Sequence, residues 1–222
     1  MQESIKFIDS AKVEAESAEN GIGIVRLMGR YCGYIATHAS LASRDVNICL
    51  IPECYFQLYG KDGVYERIIL RAKERGHCVV VVAEGAEDGL IEEDKKLMRE
   101  SLGITSDRFD DSGNVKNVDL AKFMVSDLGK YGKQHHNMNL TIKYLNPTYA
   151  IRTTPSNGSD TDLCHRLAHT AVHCVQAGYT DFSVGQVRNY PVMIPLSLLI
   201  NQSTRMLKRQ DHEWQRLIAS TG

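Results

Sequence analysis

Three short apolar segments, each followed by a more polar, helix-forming stretch, most constrain what this chain can fold into. Residues 21–28, 46–51 and 78–83 are almost continuously apolar, and the last contains four consecutive valines. Strands that are buried on both faces have this composition, because helices cover both sides of a parallel sheet. We therefore predict an α/β fold, a three-layer α/β/α arrangement around a mostly parallel sheet.

The remaining elements follow from helical periodicity and from residues that begin or end helices. Predicted helices occupy residues 4–19, 33–44, 61–75, 119–131, 159–177 and 203–218, and further strands occupy 140–145, 182–187 and 192–194. Ser156, Ser159 or Asp160 is the expected cap of the helix at 159–177, and Gly178 is a suitable stop. Acidic clusters and glycines predict a long polar loop at 85–117, and residues 130–139 predict a polar linker.

Composition and charge exclude several classes of protein. The chain has 222 residues, enough for one sizeable domain or for two small lobes that share a sheet. The formal net charge is −1, and no long basic stretch is present, so a nucleic-acid partner is not expected. No apolar stretch is long enough to span a membrane, so a membrane-embedded protein is not expected either.

The cysteines indicate a reducing compartment. Six cysteines are present, and no two of them form a CxxC pair. Cys49 and Cys78 lie within apolar runs, so we expect buried, free thiols. The first residues do not resemble a signal peptide, because no apolar core follows a basic start. Cytoplasmic localisation is the resulting expectation.

The first candidate site is the segment Met28-Gly29-Arg30-Tyr31-Cys32-Gly33, where a predicted strand ends and a helix begins. In open α/β sheets, ligands bind outside the carboxyl ends of the strands. A helix N-terminus offers unpaired N–H groups and a positive partial charge, and Arg30 adds a permanent cation. The segment therefore predicts a site for a small anion, with a tight turn and an exposed arginine as the alternative.

Two further segments place polar side chains at predicted strand ends. Glu84 directly follows the four valines, where its carboxylate can accept hydrogen bonds from sugar hydroxyls. The alternative is a structural glutamate that caps a helix or pairs with an arginine. Lys143, Tyr149 and Arg152 surround a turn that contains Pro147. Two cations and a phenol near a strand end suit a phosphomonoester, although a structural turn with surface charge would look the same.

A histidine series lies on the predicted helix at 159–177. His165, His169 and His173 are spaced so that they share one helix face. Histidines four residues apart can bind a metal ion, but no acidic residue in the HExxH arrangement lies between them. The simpler interpretation is an amphipathic helix that carries histidines on its polar side.

Together these segments resemble the 6-phosphofructokinase family, the phosphofructokinase A type. Residues 21–30, Ala42-Ser43 and Ile51-Pro52-Glu53 carry the resemblance, and Val82-Ala83-Glu84-Gly85 falls where that family has its acidic sugar contact. Residues 143–152, 155–160, 177–180 and 214–217 resemble the plant and protist branch. The resemblance covers nearly the whole chain in order, and it implies a Rossmann-like phosphofructokinase fold that is incomplete at its N-terminus.

The resemblance implies a role for each candidate residue. Met28, Gly29 and Arg30 would line a fructose 6-phosphate site, and Arg30 would also stabilise the transferring phosphoryl group. Glu84 would bind sugar hydroxyls. Tyr149 and Arg152 would hold the 6-phosphate. Lys143 stands at the place of a basic residue that crosses from a neighbouring subunit, which implies a homo- or hetero-oligomer.

The resemblance also implies a glycolytic kinase that uses ATP and Mg²⁺, but two of the family's motifs are not found. The GGDGT-type nucleotide loop and the TIDND-type loop, which supplies the catalytic base and the metal contact, are expected upstream of Met1. We therefore expect no metal ligand in this chain, and we hypothesise that the chain alone binds sugar phosphate weakly without turnover. Allosteric regulation is an expectation from the family.

Two alternatives to the kinase stay open from the sequence. One is a catalytically inactive subunit that binds sugar phosphate or regulates a partner, and the other is a pyrophosphate-dependent phosphofructokinase. In either case residues 1–152 would form the substrate-binding lobe. Residues 153–222 would return, complete that lobe and pack toward the nucleotide lobe.

Overall fold

The computed structural model describes residues 1–104, 118–202, 206–208 and 210–221. The chain divides into two compact units, one formed by Met1–Arg152 with Met206–Gly222 and the other by Thr153–Arg205. The helices, in chain order, are α1 (Gln2–Glu16), α2 (Tyr34–Ser43), α3 (Val64–Arg75), α4 (Glu92–Ser101), α5 (Leu120–His136), α6 (Thr148–Arg152), α7 (Gly158–Gln176), α8 (Leu196–Gln202) and α9 (His212–Thr221).

The first unit is built on a parallel sheet, as the apolar segments predict. Its strands are β1 (Gly21–Leu27), β2 (Ile48–Leu50), β3 (His77–Ala83) and β4 (Thr141–Leu145), in the order β2-β3-β1-β4. All three pairings are parallel, so all four carboxyl ends lie at the same edge of the sheet. The valines of β3 are buried completely, because β3 lies inside the sheet and helices cover both faces.

Helices α1 and α2 cover one face of this sheet, and α3 and α5 cover the other. Glycines in β1 let α1 lie directly on the strand. A Cβ atom at Gly23 would lie only 2.7 Å from the carbonyl oxygen of Ala11. On the opposite face, a hydrogen bond joins α5 to α3: Tyr131 Oη donates to Glu66 Oε1 at 2.7 Å. The three-layer fold is therefore confirmed.

The predicted loop at 85–117 was wrong for the part that the structure describes. A 3₁₀ turn occupies Ala86–Gly89 and α4 follows it, whereas residues 105–117 lie outside the described residues. The buried acid of helix α4 has a distant partner, because Asp94 Oδ2 accepts a hydrogen bond from the amide of Leu58 at 2.6 Å. The polar linker at 130–139 was wrong at its start, because α5 continues to His136.

The second unit consists of α7, a hairpin and α8. Strands β5 (Phe182–Val187) and β6 (Tyr190–Pro195) pair antiparallel, and α7 packs against both. Asn157 caps α7 by accepting a hydrogen bond from the amide of Asp160 at 2.9 Å, so none of the three expected residues is the cap. Helix α8 was not predicted.

Other sequence predictions have mixed outcomes. The last helix begins at His212 and not at 203, and residues 203–205 and 209 lie outside the described residues. All six cysteines are free, but only the expected burial of Cys78 is clear, since Cys164 is exposed. Within the described residues, no helix is long and apolar enough to cross a membrane.

Candidate functional site

Most of the candidate residues meet at the carboxyl edge of the parallel sheet. The last residue of β1, Leu27, pairs with Ala83, so the segments after β1 and β3 begin side by side. Strand β4 lies on the other side of β1 and ends at Leu145. Residues 28–30, Glu84 and residues 146–152 therefore all emerge at this edge, as expected for a ligand site in an open α/β sheet.

The turn after β1 requires a glycine. Gly29 has φ 140°, and a Cβ atom there would lie 2.5 Å from the carbonyl oxygen of Cys32. Both facts exclude larger residues, because an L side chain is strained at this φ and would collide with the backbone. Met28 and Arg30, on either side of Gly29, are both half-buried.

The amide at the start of α2 is already used by a protein carboxylate. The amide of Gly33 donates to Oε1 and Oε2 of Glu53 at 2.9 and 3.0 Å, and the amide of Leu207 donates to the same Oε1 at 3.1 Å. Glu53 follows β2 and supplies the negative charge that a helix N-terminus attracts. The Gly33 amide is therefore not one of the backbone amides that the segment offers to an anion, whereas the binding of an anion by this segment stays a prediction.

Glu84 pairs with an arginine, which was one of the alternatives from the sequence, and it belongs to a charged cluster whose other members were not predicted. Arg26 Nη2 is 3.6 Å from Glu84 Oε1, and Arg26 Nε is 3.6 Å from Asp119 Oδ1. Asp119 also caps α5 by accepting from the amide of Lys122 at 3.0 Å, and it accepts from the hydroxyl of Tyr144 at 2.9 Å. Burial first, and then the bond to Asp119, raise the pKa of Tyr144 above its ordinary value, so this phenol stays a donor.

One sequence feature could have revealed this cluster. Arg26 is the only charged residue in the run from 21 to 28. A charge inside a buried strand requires partners from neighbouring elements, because an unpaired buried charge is costly. Asp119 and Tyr144 were harder to find, since they come from segments far along the chain.

A second acid, Glu87, follows Glu84 by three residues and is almost completely buried. Its side chain is part of the turn Ala86–Gly89, and its Oε2 atom has no hydrogen-bond partner among the described residues. Burial raises the pKa of Glu87 to about 7, against smaller effects of the Val118 amide and of Arg26 that lower it. Glu87 therefore carries a proton that it exchanges near neutral pH.

Tyr149 and Arg152 are presented on a short helix. Asn146 Oδ1 accepts hydrogen bonds from the hydroxyl of Thr148 at 2.6 Å and from its amide at 3.3 Å, and this turn begins α6. The side chain of Tyr149 is 81% exposed, and Arg152 is also exposed. The predicted proline turn thus becomes a turn and a helix that project a phenol and a cation from the edge.

The structure does not bring Lys143 to this edge. Lys143 lies inside β4 opposite Gly23, on the face that α1 covers. Its Nζ atom is 3.4 Å from Glu14 Oε2 of α1, and both side chains are about half exposed. Lys143 lies two positions before the end of β4, and its side chain faces the helix layer. The sequence alone did not reveal which face of β4 carries Lys143.

The histidine series forms no metal site. The rings of His165 and His169 stack with their centroids 6.5 Å apart, and His165, His169 and His173 are exposed on α7. Among the residues that the structure describes, no group of three or more histidine, cysteine, aspartate or glutamate side chains could hold a metal ion.

Comparisons with known proteins identify the family. The family model described as phosphofructokinase matches residues 1–175. The chain belongs to the phosphofructokinase family. ATP-dependent 6-phosphofructokinase 1 of Arabidopsis thaliana is 45% identical over 223 residues, which cover 100% of this chain and 45% of that protein. ATP-dependent 6-phosphofructokinase of Amycolatopsis methanolica is 36% identical over 90% of this chain and 42% of its own length.

Solved structures support the fold of a phosphofructokinase. Pyrophosphate-dependent phosphofructokinase from Marinobacter aquaeolei superposes with a TM-score of 0.61 at 17% identity, over 99% of this chain and 52% of that one. Phosphofructokinase from Saccharomyces cerevisiae gives a TM-score of 0.57 at 20% identity, over 89% of this chain and 22% of that one. At these identities the likeness concerns the fold. The chain spans about half the length of the curated relatives it matches.

Proposed function

We propose that this chain supplies the fructose 6-phosphate site of an ATP-dependent 6-phosphofructokinase, which transfers the γ-phosphoryl group of ATP to the sugar 1-hydroxyl in glycolysis. The observation that carries the proposal is identity of 45% over the whole chain to a protein named ATP-dependent 6-phosphofructokinase 1. The arrangement of residues 28–30, Glu84 and residues 149–152 at one sheet edge supports it. Pyrophosphate as the donor has weaker support, since the relatives so named share only the fold.

Two groups of side chains would divide the work of binding. Arg30, Tyr149 and Arg152 offer two permanent cations and a phenol to the 6-phosphate, and such charge-assisted bonds are stronger than neutral ones. Glu84 offers carboxylate oxygens, which accept hydrogen bonds only and so suit sugar hydroxyls. Met28 and Gly29 would line the site. Arg30 would also stabilise negative charge on the transferring phosphoryl group.

Lys143 keeps a separate place in the proposal. Its ion pair with Glu14 holds it on the α1 face of the sheet, away from the edge. We assign it to the substrate site of a neighbouring subunit, which requires the working protein to be an oligomer. We further assign Met1–Arg152 to the substrate-binding lobe and 153–222 to the segment that returns through a second unit and completes that lobe.

We assign neither the metal site nor the nucleotide site of the kinase to the described residues. Among these residues, no group of three or more acidic, histidine or cysteine side chains could hold a metal ion. We place both sites in the part of the phosphofructokinase that corresponds to the other half of the relatives. The compartment that we propose is the cytoplasm.

Equilibrium binding tests the proposal on the 222-residue chain. Isothermal titration calorimetry with fructose 6-phosphate, fructose and inorganic phosphate should show the first binding more tightly than either of the others. Binding of phosphate as tight as that of fructose 6-phosphate would contradict a sugar site, and no binding of any of the three would contradict the proposal altogether. A coupled assay with ATP and Mg²⁺ should show no turnover by this chain alone.

A further inference from the structure

The side chain of Arg26 lies between two carboxylates at the carboxyl edge of the sheet. Its Nη2 atom is 3.6 Å from Glu84 Oε1, and its Nε atom is 3.6 Å from Asp119 Oδ1. We call these three residues the Arg26 bridge. Both distances are longer than a hydrogen bond. The guanidinium therefore attracts each carboxylate without occupying the acceptor sites that a ligand would need.

Only one of the two carboxylates depends on Arg26 for its position. Asp119 is held independently, because it accepts from the amide of Lys122 at 3.0 Å and from the hydroxyl of Tyr144 at 2.9 Å. The carboxylate of Glu84 accepts no hydrogen bond within the described residues, and its ion pair with Arg26 is its charged contact. The residue whose orientation Arg26 controls is therefore Glu84.

The backbone of Glu84 is fixed by a hydrogen bond, whereas the orientation of its side chain is not. The amide of Glu84 donates to the carbonyl oxygen of Leu27 at 2.8 Å, which extends the ladder between β1 and β3 and fixes the backbone. Its side chain is 25% exposed, while that of Arg26 is 15% exposed and comes from a strand buried in the sheet. A partly desolvated cation attracts a carboxylate more strongly than a solvated one does. The Arg26 guanidinium therefore restricts the position of the Glu84 carboxylate.

We infer that Arg26 is a positioning residue for sugar recognition, which holds the Glu84 carboxylate at the sheet edge so that it accepts hydrogen bonds from the hydroxyls of a phosphorylated sugar. The inference rests on the proposed function, which assigns Glu84 to those hydroxyls. Two different nitrogen atoms of one guanidinium face the two carboxylates. A lysine ammonium is a single point of charge and reproduces this fork only in part.

The inference is tested by comparing two ligands on the 222-residue chain. Fructose 6-phosphate contains the hydroxyls that Glu84 would bind, and inorganic phosphate does not. By isothermal titration calorimetry, Arg26→Gln should weaken fructose 6-phosphate binding about tenfold, as expected for loss of a hydrogen bond to a charged group. Arg26→Lys should weaken it less. Binding of inorganic phosphate should not change in either variant.

A double-mutant cycle separates positioning from an independent effect. If Arg26 acts through Glu84, Arg26→Gln adds little to the loss that Glu84→Gln causes alone. Additive losses, or equal losses for both ligands, would overturn the inference. Lys12→Gln, which removes an ion pair to Asp45 at 2.7 Å outside the site, is the matched control and should bind both ligands normally.

The remaining outcomes distinguish a failure of the proposed function from a failure of the inference about Arg26. Fluorescence of Trp214, the single tryptophan, reports whether each variant is folded. If Arg26→Gln does not fold, the charge-conserving Arg26→Lys carries the test, and wild-type affinity for both ligands in that variant overturns the inference. A wild-type chain that binds no fructose 6-phosphate overturns the proposed function and the inference with it. A wild-type chain that binds the sugar phosphate while Arg26→Gln binds it equally well overturns the inference alone.

Discussion

The amide of Gly33 donates to both carboxylate oxygens of Glu53, at 2.9 and 3.0 Å. This contact joins the start of α2 to the segment after β2, and the amide of Leu207 joins the same carboxylate at 3.1 Å. A Cβ atom at Gly33 would lie 2.5 Å from Ile51, so the close approach also needs a glycine. Glu53 therefore stabilises the frame of the candidate site and is not a ligand contact.

Replacing Glu53 should destabilise the first unit. Glu53→Gln keeps the size of the side chain but removes the charge that faces the helix N-terminus, so the free energy of unfolding should fall by about 1–2 kcal/mol. Urea denaturation followed by Trp214 fluorescence measures the change. Glu100→Gln is the control, because its side chain is 63% exposed and lies in the last turn of α4, away from any helix N-terminus. A loss no larger than that of the control would contradict the capping role.

Glu87 should make stability fall as the pH rises. Burial raises the pKa of Glu87 to about 7, so the folded state binds a proton that the unfolded state has lost above its own lower pKa. The stabilisation is complete below about pH 4.5 and is lost as the pH rises through 7. Glu87→Gln should match the wild type near pH 4 and exceed its free energy of unfolding by up to about 3 kcal/mol at pH 8.

Urea titrations at several pH values check this prediction, with the difference between variant and wild type as the measured quantity. Taking the difference removes the contribution of the other titratable groups. A pH-independent difference for Glu87→Gln would contradict the prediction, because it would show that the pKa of Glu87 is the same in the folded and unfolded states.

The turn at Gly29 should tolerate no side chain. Gly29→Ala places a Cβ atom 2.5 Å from the carbonyl oxygen of Cys32 at φ 140°, and both strain and collision should lower the free energy of unfolding by at least about 2 kcal/mol. Gly103→Ala is the matched control, since Gly103 also has positive φ but its Cβ atom would meet nothing within 4 Å. Chemical denaturation compares the two, and equal losses would show that backbone strain alone accounts for the effect.

Asn157 should be the residue that caps α7. Asn157→Ala removes the hydrogen bond that its side chain accepts from the amide of Asp160 at 2.9 Å, which should cost about 1 kcal/mol of helix stability. Ser159→Ala, two residues further along, should cost much less. Amide hydrogen exchange in the first turn of α7 reports the difference, and faster exchange in Ser159→Ala than in Asn157→Ala would contradict this assignment.

The strands could be predicted from the sequence because local runs of apolar residues indicate that they are buried. Residues 21–28 and 78–83 differ from β1 and β3 by one residue each. Helix α4 was missed because its sequence is highly charged and its buried Asp94 has its partner, the Leu58 amide, 36 residues away. No local pattern reveals such a contact.

The candidate site could also be predicted only in part. Strand ends predict that Glu84 and residues 28–30 share one edge, because parallel pairing places them there. The sequence could not show that Lys143 faces α1, since that depends on the register of β4 against β1. Nor could it show that Glu53 already occupies the Gly33 amide, or that Arg26 joins Glu84 to Asp119.

The most direct test of the central claim, a sugar-phosphate site at the carboxyl edge of the sheet, is the affinity of the chain for fructose 6-phosphate when single cations are removed. By isothermal titration calorimetry, Arg30→Gln and Arg152→Gln should each weaken binding at least about tenfold, because each removes a charge-assisted hydrogen bond to phosphate. Arg75→Gln, at the end of α3 and next to the amino end of β3, should bind as the wild type does. Wild-type affinity in both Arg30→Gln and Arg152→Gln, or an equal loss in Arg75→Gln, would contradict the account.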